Sequence, residues 1–468
     1  MTGKLSVTRR AFLYASALAT SAAAYAKQFG PTKDIDERRY VEWDRQLKKA
    51  NDFSFTSSLF GRRSRRFGWG MEIPKGPFAY KSKRAPSSLD EFETAFLLAA
   101  ACGVSGWHHG IPYSDSQAGL CTYSARYTGR TFPTAAGIGN TELFYTDDEG
   151  TYFVSTRDAD GDGNWRDQQM RDSEKLIKTT RHFTRKIANE RINLPRKSPH
   201  FSAHNVWNAN VPGSSLFIPV ANISEQLIGF LFIVVASGYT VWDDTEGKPA
   251  GALEKFFEQG LLNRDKRYPL SYMEQYLFST SAVEMGVVGH NIALALQPLG
   301  LGGWFFSGIS PFSLMGVAAS KGIPGLGFEF QTNADWGVPN PVGRKGVYEA
   351  YCPPFYANMA DAVNAYLALK FGADGSYVDG KAGPFNSPDA KDSAMRPSDH
   401  ERLAVIAIAE YILQKYGKFP GTVPSIFVRY YTQAHRLDTH FYDKFFKRNY
   451  LNTHLENVER WERETDRG

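Results

Sequence analysis

Cysteine is scarce in this chain, with three among 468 residues. Cys102, Cys121 and Cys352 lie far apart and form no Cys-x-x-Cys pair, which excludes a disulfide framework and a cysteine-built zinc or iron–sulfur site. No apolar run reaches the ~18 residues that a membrane-spanning helix needs. The longest, Leu227 to Ala236, suits a core helix or strand. Gly-x-Ser-x-Gly elbows, Walker phosphate loops and an early dinucleotide fingerprint are all missing, so hydrolase, NTPase and nicotinamide-Rossmann chemistries fall away. A large surplus of one charge is missing too. Of 54 basic residues, Lys4, Arg9 and Arg10 fall within residues 1–26, which leaves fifty-one against 49 acidic ones. That balance does not support a nucleic-acid partner. Aromatic and apolar residues are plentiful, at 14% and 42%, enough to bury a core and to exclude wholesale disorder.

The N-terminus reads as an address. Ser6-Val7-Thr8-Arg9-Arg10-Ala11-Phe12-Leu13 is basic and then apolar, an alanine-rich stretch follows, and Ala24-Tyr25-Ala26 has the small-x-small form of a cleavage site. The arginine pair with Phe12 and Leu13 behind it resembles a twin-arginine export signal. An ordinary secretory signal or an N-terminal amphipathic helix is the alternative. The resemblance implies handling by the twin-arginine export machinery and a periplasmic or otherwise exported protein. Such machinery moves folded proteins, which is a first hint of a bound redox group.

Beyond the signal, residues 27–55 read as a polar, helical leader wrapping a neighbour. Ser88-Leu89-Asp90-Glu91-Phe92-Glu93 opens a helix with a serine cap and acids in its first turn. Glu142–Tyr145 and Thr151–Val154 suggest two strands joined at Asp147-Asp148-Glu149-Gly150. Residues 158–210 look like an insertion, and Leu216–Val220 like a buried strand. A long helix, apolar on most faces, is expected over about 272–296. Residues 351–468 form a mainly helical C-terminal extension. Helices alternating with a few short strands indicate an α+β fold, with 56–350 as its main domain.

Two segments carry chemistry. Arg62-Arg63-Ser64-Arg65-Arg66-Phe67 places guanidiniums on both sides of a hydroxyl, a set that matches phosphate oxygens; a solvated basic turn is the plainer alternative. Further on, Glu284-Met285-Gly286-Val287-Val288-Gly289-His290-Asn291 leads to Leu299-Gly300-Leu301-Gly302-Gly303-Trp304. Helix glycines cost about 1 kcal/mol each relative to alanine. Gly286 and Gly289 therefore suggest close approach of a partner helix or a flat ligand.

Taken in this order, the two segments resemble the FMN-dependent nitroreductase superfamily, whose members carry an arginine/serine phosphate motif and later a long helix followed by a Leu-Gly-Leu-Gly type of turn. Gly129-Arg130-Thr131-Phe132-Pro133-Thr134-Ala135-Ala136-Gly137 looks like the Arg-x-x-Pro-Ser-x-Gly loop of the superfamily's branch acting on thiazoline- and oxazoline-containing peptides. The resemblance implies a central mixed or antiparallel sheet flanked by helices, and a homodimer with FMN at the subunit interface. By position, Arg62, Ser64 and Arg66 would hold the flavin phosphate, and Pro133, Thr134 and Ala135 would lie along the ring or ribityl chain. Gly302 and Gly303 would bring backbone amides near the flavin, and Arg344 would complete the phosphate clamp. The expected function is transfer of hydride or electrons between FMN and a small organic substrate. Alternatives are dehydrogenation of a peptide or heterocycle, or a non-catalytic scaffold on a degenerate version of the fold. Export would place nicotinamide donors out of reach and imply a quinone or redox protein as electron partner.

Other constellations are weaker. Asp158-Ala159-Asp160-Gly161-Asp162-Gly163-Asn164 begins like a calcium loop, but Gln169 stands where the bidentate acid belongs. His108-His109, His200 with His204, and His435 with His440 lack a third ligand, so no metal site is expected. The aromatics Trp304, Phe305, Phe306, Tyr348, Tyr351, Phe355 and Tyr356 read mostly as core, with one or two as candidates to stack on a planar substrate.

Overall fold

Successive side chains of a strand point to opposite faces of its sheet, and here both sets are apolar. Leu143, Tyr145 and Phe217 pack on one side, while Phe144, Leu216 and Ile218 pack on the other. A sheet with both faces buried needs layers on both, and the helices supply them. The computed structural model describes residues 37–109, 125–134, 137, 139–159, 165–378, 383–392, 396–447 and 449–465. The signal segment 1–26, Ala135, Asp160 and Asp162 lie outside the described residues.

Among the described residues the main sheet has seven strands: β1 (Thr141–Asp147), β2 (Gly150–Val154), β3 (Thr184–Ala188), β4 (Ser215–Asn222), β5 (Gly302–Phe306), β6 (Ile426–Phe427) and β7 (Tyr431–His435). Their order is β5-β7-β4-β1-β2-β3, with β6 also on β4, and every pairing is antiparallel. All eight residues of β4 are buried, hence its nearly unbroken apolar run. Each large apolar side chain so enclosed stabilises the fold by roughly 1.5–3 kcal/mol.

The helices that frame the sheet include α1 (Glu37–Asp52), α2 (Phe55–Gly61), α3 (Glu91–Cys102), α4 (Ile223–Ala236), α5 (Leu270–Leu299), α6 (Asp399–Tyr416) and α7 (Asn452–Thr465). Leu97, Leu98, Val288 and Ile292 of α3 and α5 cover one face; Leu227, Leu231, Ile408 and Ile412 of α4 and α6 belong to the core on the other. The 30-residue α5 runs about 45 Å at 1.5 Å per residue. It stops at Gly300 in the left-handed conformation (φ 69°), where a Cβ would lie 2.0 Å from the Thr453 carbonyl oxygen.

Several expectations change at this level. Helix α3 is capped by Asp90, which exchanges a capping box with Glu93, whereas the Ser88 hydroxyl donates to Asp148 instead (2.6 Å). Helix α1 packs on its own chain, burying Trp43 and Leu47 against α3 and α5. The 158–210 stretch supplies the edge strand β3. Residues 351–468 are helical in part but do not stand apart, because β7 lies between β5 and β4 in the middle of the fold.

Candidate functional site

The arginine-rich segment leaves the end of α2 and runs along the free edge of β5. Arg65 and Gly303 exchange both backbone hydrogen bonds, at 3.0 and 2.9 Å, and Gly68 bridges to Leu437 two residues beyond β7. Extended backbone alternates its side chains, so Arg65 and Phe67 turn inward while Ser64 and Arg66 face out. Arg65 is 3% exposed and, among the described residues, pairs with no carboxylate. Its guanidinium donates to Gln297 Oε1 (2.8 Å) and to the carbonyls of Asn449 (2.7 Å) and Gly61 (2.9 Å). Burial lowers its pKa to about 10, and the neighbouring Arg63 and Arg62 cations push the same way.

Beside this edge lies a cavity of about 270 Å³. Arg62, Arg63 and Ser64 form one wall and Gly286, His290 and Ala293 of α5 another. Gly303, Trp304 and Phe305 of β5 close the third side. The helix glycines have different reasons. A Cβ on Gly289 would lie 2.3 Å from Phe305 Cδ2, so glycine there lets an aromatic ring press onto the helix. Gly286 has nothing within 4 Å and opens bare backbone to the cavity. Neither receives a partner helix.

The cavity is electropositive. Among the described residues neither Arg62 nor Arg63 forms an ion pair, and no carboxylate stands in the wall. Arg63 donates to the carbonyls of Phe60 (2.9 Å) and Arg62 (2.8 Å), which fixes its position without neutralising it. With buried Arg65 behind them, these cations create a field suited to a phosphate or another compact anion.

The other expected residues are distributed as follows. Arg66 is exposed and outside the cavity wall. Gly302 faces the opposite side of the sheet, where a Cβ would lie 2.8 Å from His435 Nε2. Gly303 is in the wall, but its amide is spent on the Arg65 carbonyl, so its contribution is the absence of a side chain. Pro133 is exposed and Thr134 half-buried, in a loop tied to α5 by Asn291 Nδ2, which donates to the Thr131 carbonyl (3.0 Å). At about 100° per residue, Glu284 and Asn291 point away from Gly286, His290 and Ala293. The Pro133 loop and the arginine segment thus occupy opposite faces of one helix. Glu284 accepts from the Thr141 hydroxyl (2.7 Å), and burial raises its carboxyl above the usual range. Arg344 is remote from the cavity, donating to the carbonyls of Leu326 and Ile187 (both 3.1 Å).

Asp158 is engaged by Arg126 in a salt bridge rather than presented to a cation. His435 is buried, and burial pushes its pKa down to about 3. No three His, Cys, Asp or Glu side chains among the described residues are arranged to hold a metal. Residue types alone did not single out Arg63 and His290. Arg63 lay within the arginine-rich run, but which of its guanidiniums reach the cavity depends on the segment's pairing with β5. The one signal for His290 was its spacing, four residues beyond Gly286 and so on the same helix face.

No family model matches the chain, and no curated protein matches it in sequence. Among solved structures, one similar chain is a Ralstonia eutropha JMP134 protein described provisionally as a nitroreductase. It is 13% identical, the match covers 55% of this chain and 71% of that one, and the TM-score is 0.24. A score of that size carries no argument, so the α+β description rests on this chain's own strands and helices.

Proposed function

We propose that the chain is an exported flavoprotein oxidoreductase that holds FMN at the Arg62–Ser64 cavity and transfers hydride or electrons to or from a small organic substrate. One observation carries the reading: two arginines without counter-ions among the described residues and a serine share a cavity with the bare helix backbone at Gly286 and the ring of Phe305. These residues suit a ligand that is anionic at one end and flat at the other. Bound there, FMN would supply redox chemistry through its N5.

The work of the chain's own residues follows from their placement. Arg62 and Arg63 would bind the phosphate, and Ser64 would add a neutral donor. Arg65 acts from behind as a positioning residue, locking the segment to β5 through Gly303. Gly286 leaves its part of the wall as bare backbone, and Gly303 permits the close approach of Gln433 and Leu296 that seats β5. His290 contributes an imidazole to the cavity wall, on the same face of α5 as Gly286.

At about 270 Å³ the cavity lies just below the usual span of ligand pockets, roughly 300–1,000 Å³, so one protomer would enclose only part of such a cofactor. A homodimer with the ligand at its interface is the proposed remedy, and it would let the Pro133–Thr134 loop of one protomer reach the ligand of the other. Export through a twin-arginine signal and a quinone or redox protein as electron partner belong to the same proposal.

The test is direct. The purified protein is expected to be yellow and to release FMN identified by mass spectrometry. The double variant Arg62→Ala/Arg63→Ala should fold yet bind FMN about 10- to 1,000-fold more weakly, as the loss of one or two charge-assisted contacts implies. A colourless protein with no affinity for added FMN, at a calorimetric limit near 1 mM, would sink the proposal.

A further inference from the structure

Phe305 is an unusual aromatic for a strand that otherwise buries its rings. Trp304 and Phe306 point to the opposite face and are 2% and 9% exposed, whereas Phe305 remains 36% exposed at the cavity. It is nevertheless firmly held. Tyr430 stacks on it with ring centroids 5.3 Å apart and planes 24° apart. Its Cδ2–Cε2 edge presses onto α5 at Gly289, where any Cβ would collide at 2.3–2.4 Å. A flexible aliphatic side chain would have filled the same space with less ordering. What this arrangement preserves is a flat ring held in one orientation beside two arginines.

We propose that Phe305, backed by Tyr430 and seated on Gly289, is the platform on which the planar ring of the bound phosphate ester stacks, and that it sets the cavity's preference for aromatic over aliphatic phosphates. The inference rests on the cavity reading above but adds a specificity residue to it. Aromatic stacking tolerates many ring types because every ring presents a π-face. The arginine wall would therefore select the phosphate and Phe305 the ring, as two separable contributions.

The experiment titrates full-length protein with FMN, riboflavin, AMP, glycerol 3-phosphate and inorganic phosphate, using calorimetry and, for flavins, fluorescence quenching. Phe305→Leu removes the flat face while keeping apolar volume. It is expected to weaken FMN and riboflavin on the order of tenfold and to reduce quenching, with phosphate and glycerol phosphate unchanged. Phe305→Tyr keeps the ring and should restore wild-type binding, with thermal melting showing that both variants are folded. If Phe305→Leu binds FMN as tightly as wild type with equal quenching, the platform is overturned while the flavin reading stands. If wild type ignores flavins but binds AMP more tightly than glycerol 3-phosphate, and Phe305→Leu abolishes that preference, the platform stands and the flavin reading falls. Binding of no ring-bearing phosphate overturns both.

Discussion

Arg65 and Gly303 are far apart in the chain, yet each donates its backbone N–H to the other's carbonyl, at 3.0 and 2.9 Å. This pair lays the arginine-rich segment along the sheet edge and brings Arg62, Arg63 and Ser64 to the wall facing Phe305 and α5. The guanidinium of Arg65 is anchored separately, on Gln297, Asn449 and Gly61, so backbone and side chain both fix the segment.

Gly303→Ala should break this arrangement. Its Cβ would fall 2.2 Å from the Gln433 carbonyl oxygen in β7 and 2.6 Å from Leu296 Cδ1. Backbone in a paired strand cannot yield cheaply, so a loss of about 1–3 kcal/mol is expected in urea unfolding. Anion binding at the cavity should weaken in the same variant.

The two helix glycines should respond in opposite directions. Gly289→Ala would drive a methyl into Phe305 and is expected to destabilise by about 1–3 kcal/mol. Gly286→Ala meets nothing within 4 Å, so helix propensity should win and stabilise by up to about 1 kcal/mol. Its methyl would still intrude on the cavity, so ligand affinity should fall as the melting temperature rises. Equal melting shifts for the two variants would contradict the packing described here.

Acid should destabilise the protein through His454 and His435. Both are buried, and burial pushes each pKa down to about 3; for His454 the Arg65 cation adds to this. His454 Nδ1 also accepts from the Leu451 amide (3.1 Å), which requires it unprotonated. Their stabilising contribution is complete above the unfolded value of about 6.5. Below that the unfolded chain takes up protons that the folded chain refuses. Stability should fall by about 1.4 kcal/mol per pH unit for each histidine until pH approaches 3. Urea midpoints at pH 7, 6, 5 and 4 measure the slope, and His454→Gln should flatten it.

The buried pair Glu93–Arg436 should be intolerant of single changes. Arg436 Nη2 and Nη1 donate to Glu93 at 2.8 and 3.1 Å, and its guanidinium stacks 3.6 Å from the Trp461 ring centroid. Burial alone would raise the Glu93 pKa, but Arg436 and Arg460 outweigh it and hold the carboxyl at about 2. Glu93→Gln leaves Arg436 buried without its counter-charge, a loss of about 3–5 kcal/mol expected in chemical denaturation. Because Glu93 lies in α3, Arg436 just past β7 and Trp461 in α7, loosening of α7 should appear first in hydrogen exchange.

Much of the fold was legible locally. The hairpin around Asp147–Gly150, the buried run of β4, the length of α5 and its glycine stop each follow from period, turn chemistry or capping. The candidate site was legible in part: Arg62, Ser64 and Gly303 share the cavity, but Arg66, Pro133, Thr134, Gly302 and Arg344 do not line it. Motif position assigns a residue to a segment, whereas the direction of its side chain depends on where extended backbone begins and which face a neighbour covers. Gly302 and Gly303 illustrate the point, adjacent in sequence and serving opposite sides of one sheet.

By itself, then, the sequence determined the hairpin at Asp147–Gly150, the buried run of β4, the long helix α5, and that a cluster of cations precedes a glycine-marked helix. Only the tertiary structure decided that β7 inserts between β5 and β4, that Arg65 is buried while Arg63 is presented, and that Phe305 stands at the cavity. Periodicity and capping are short-range effects encoded within a few residues. Strand order, burial of a charge and the orientation of a ring are set by partners that the chain brings from hundreds of residues away.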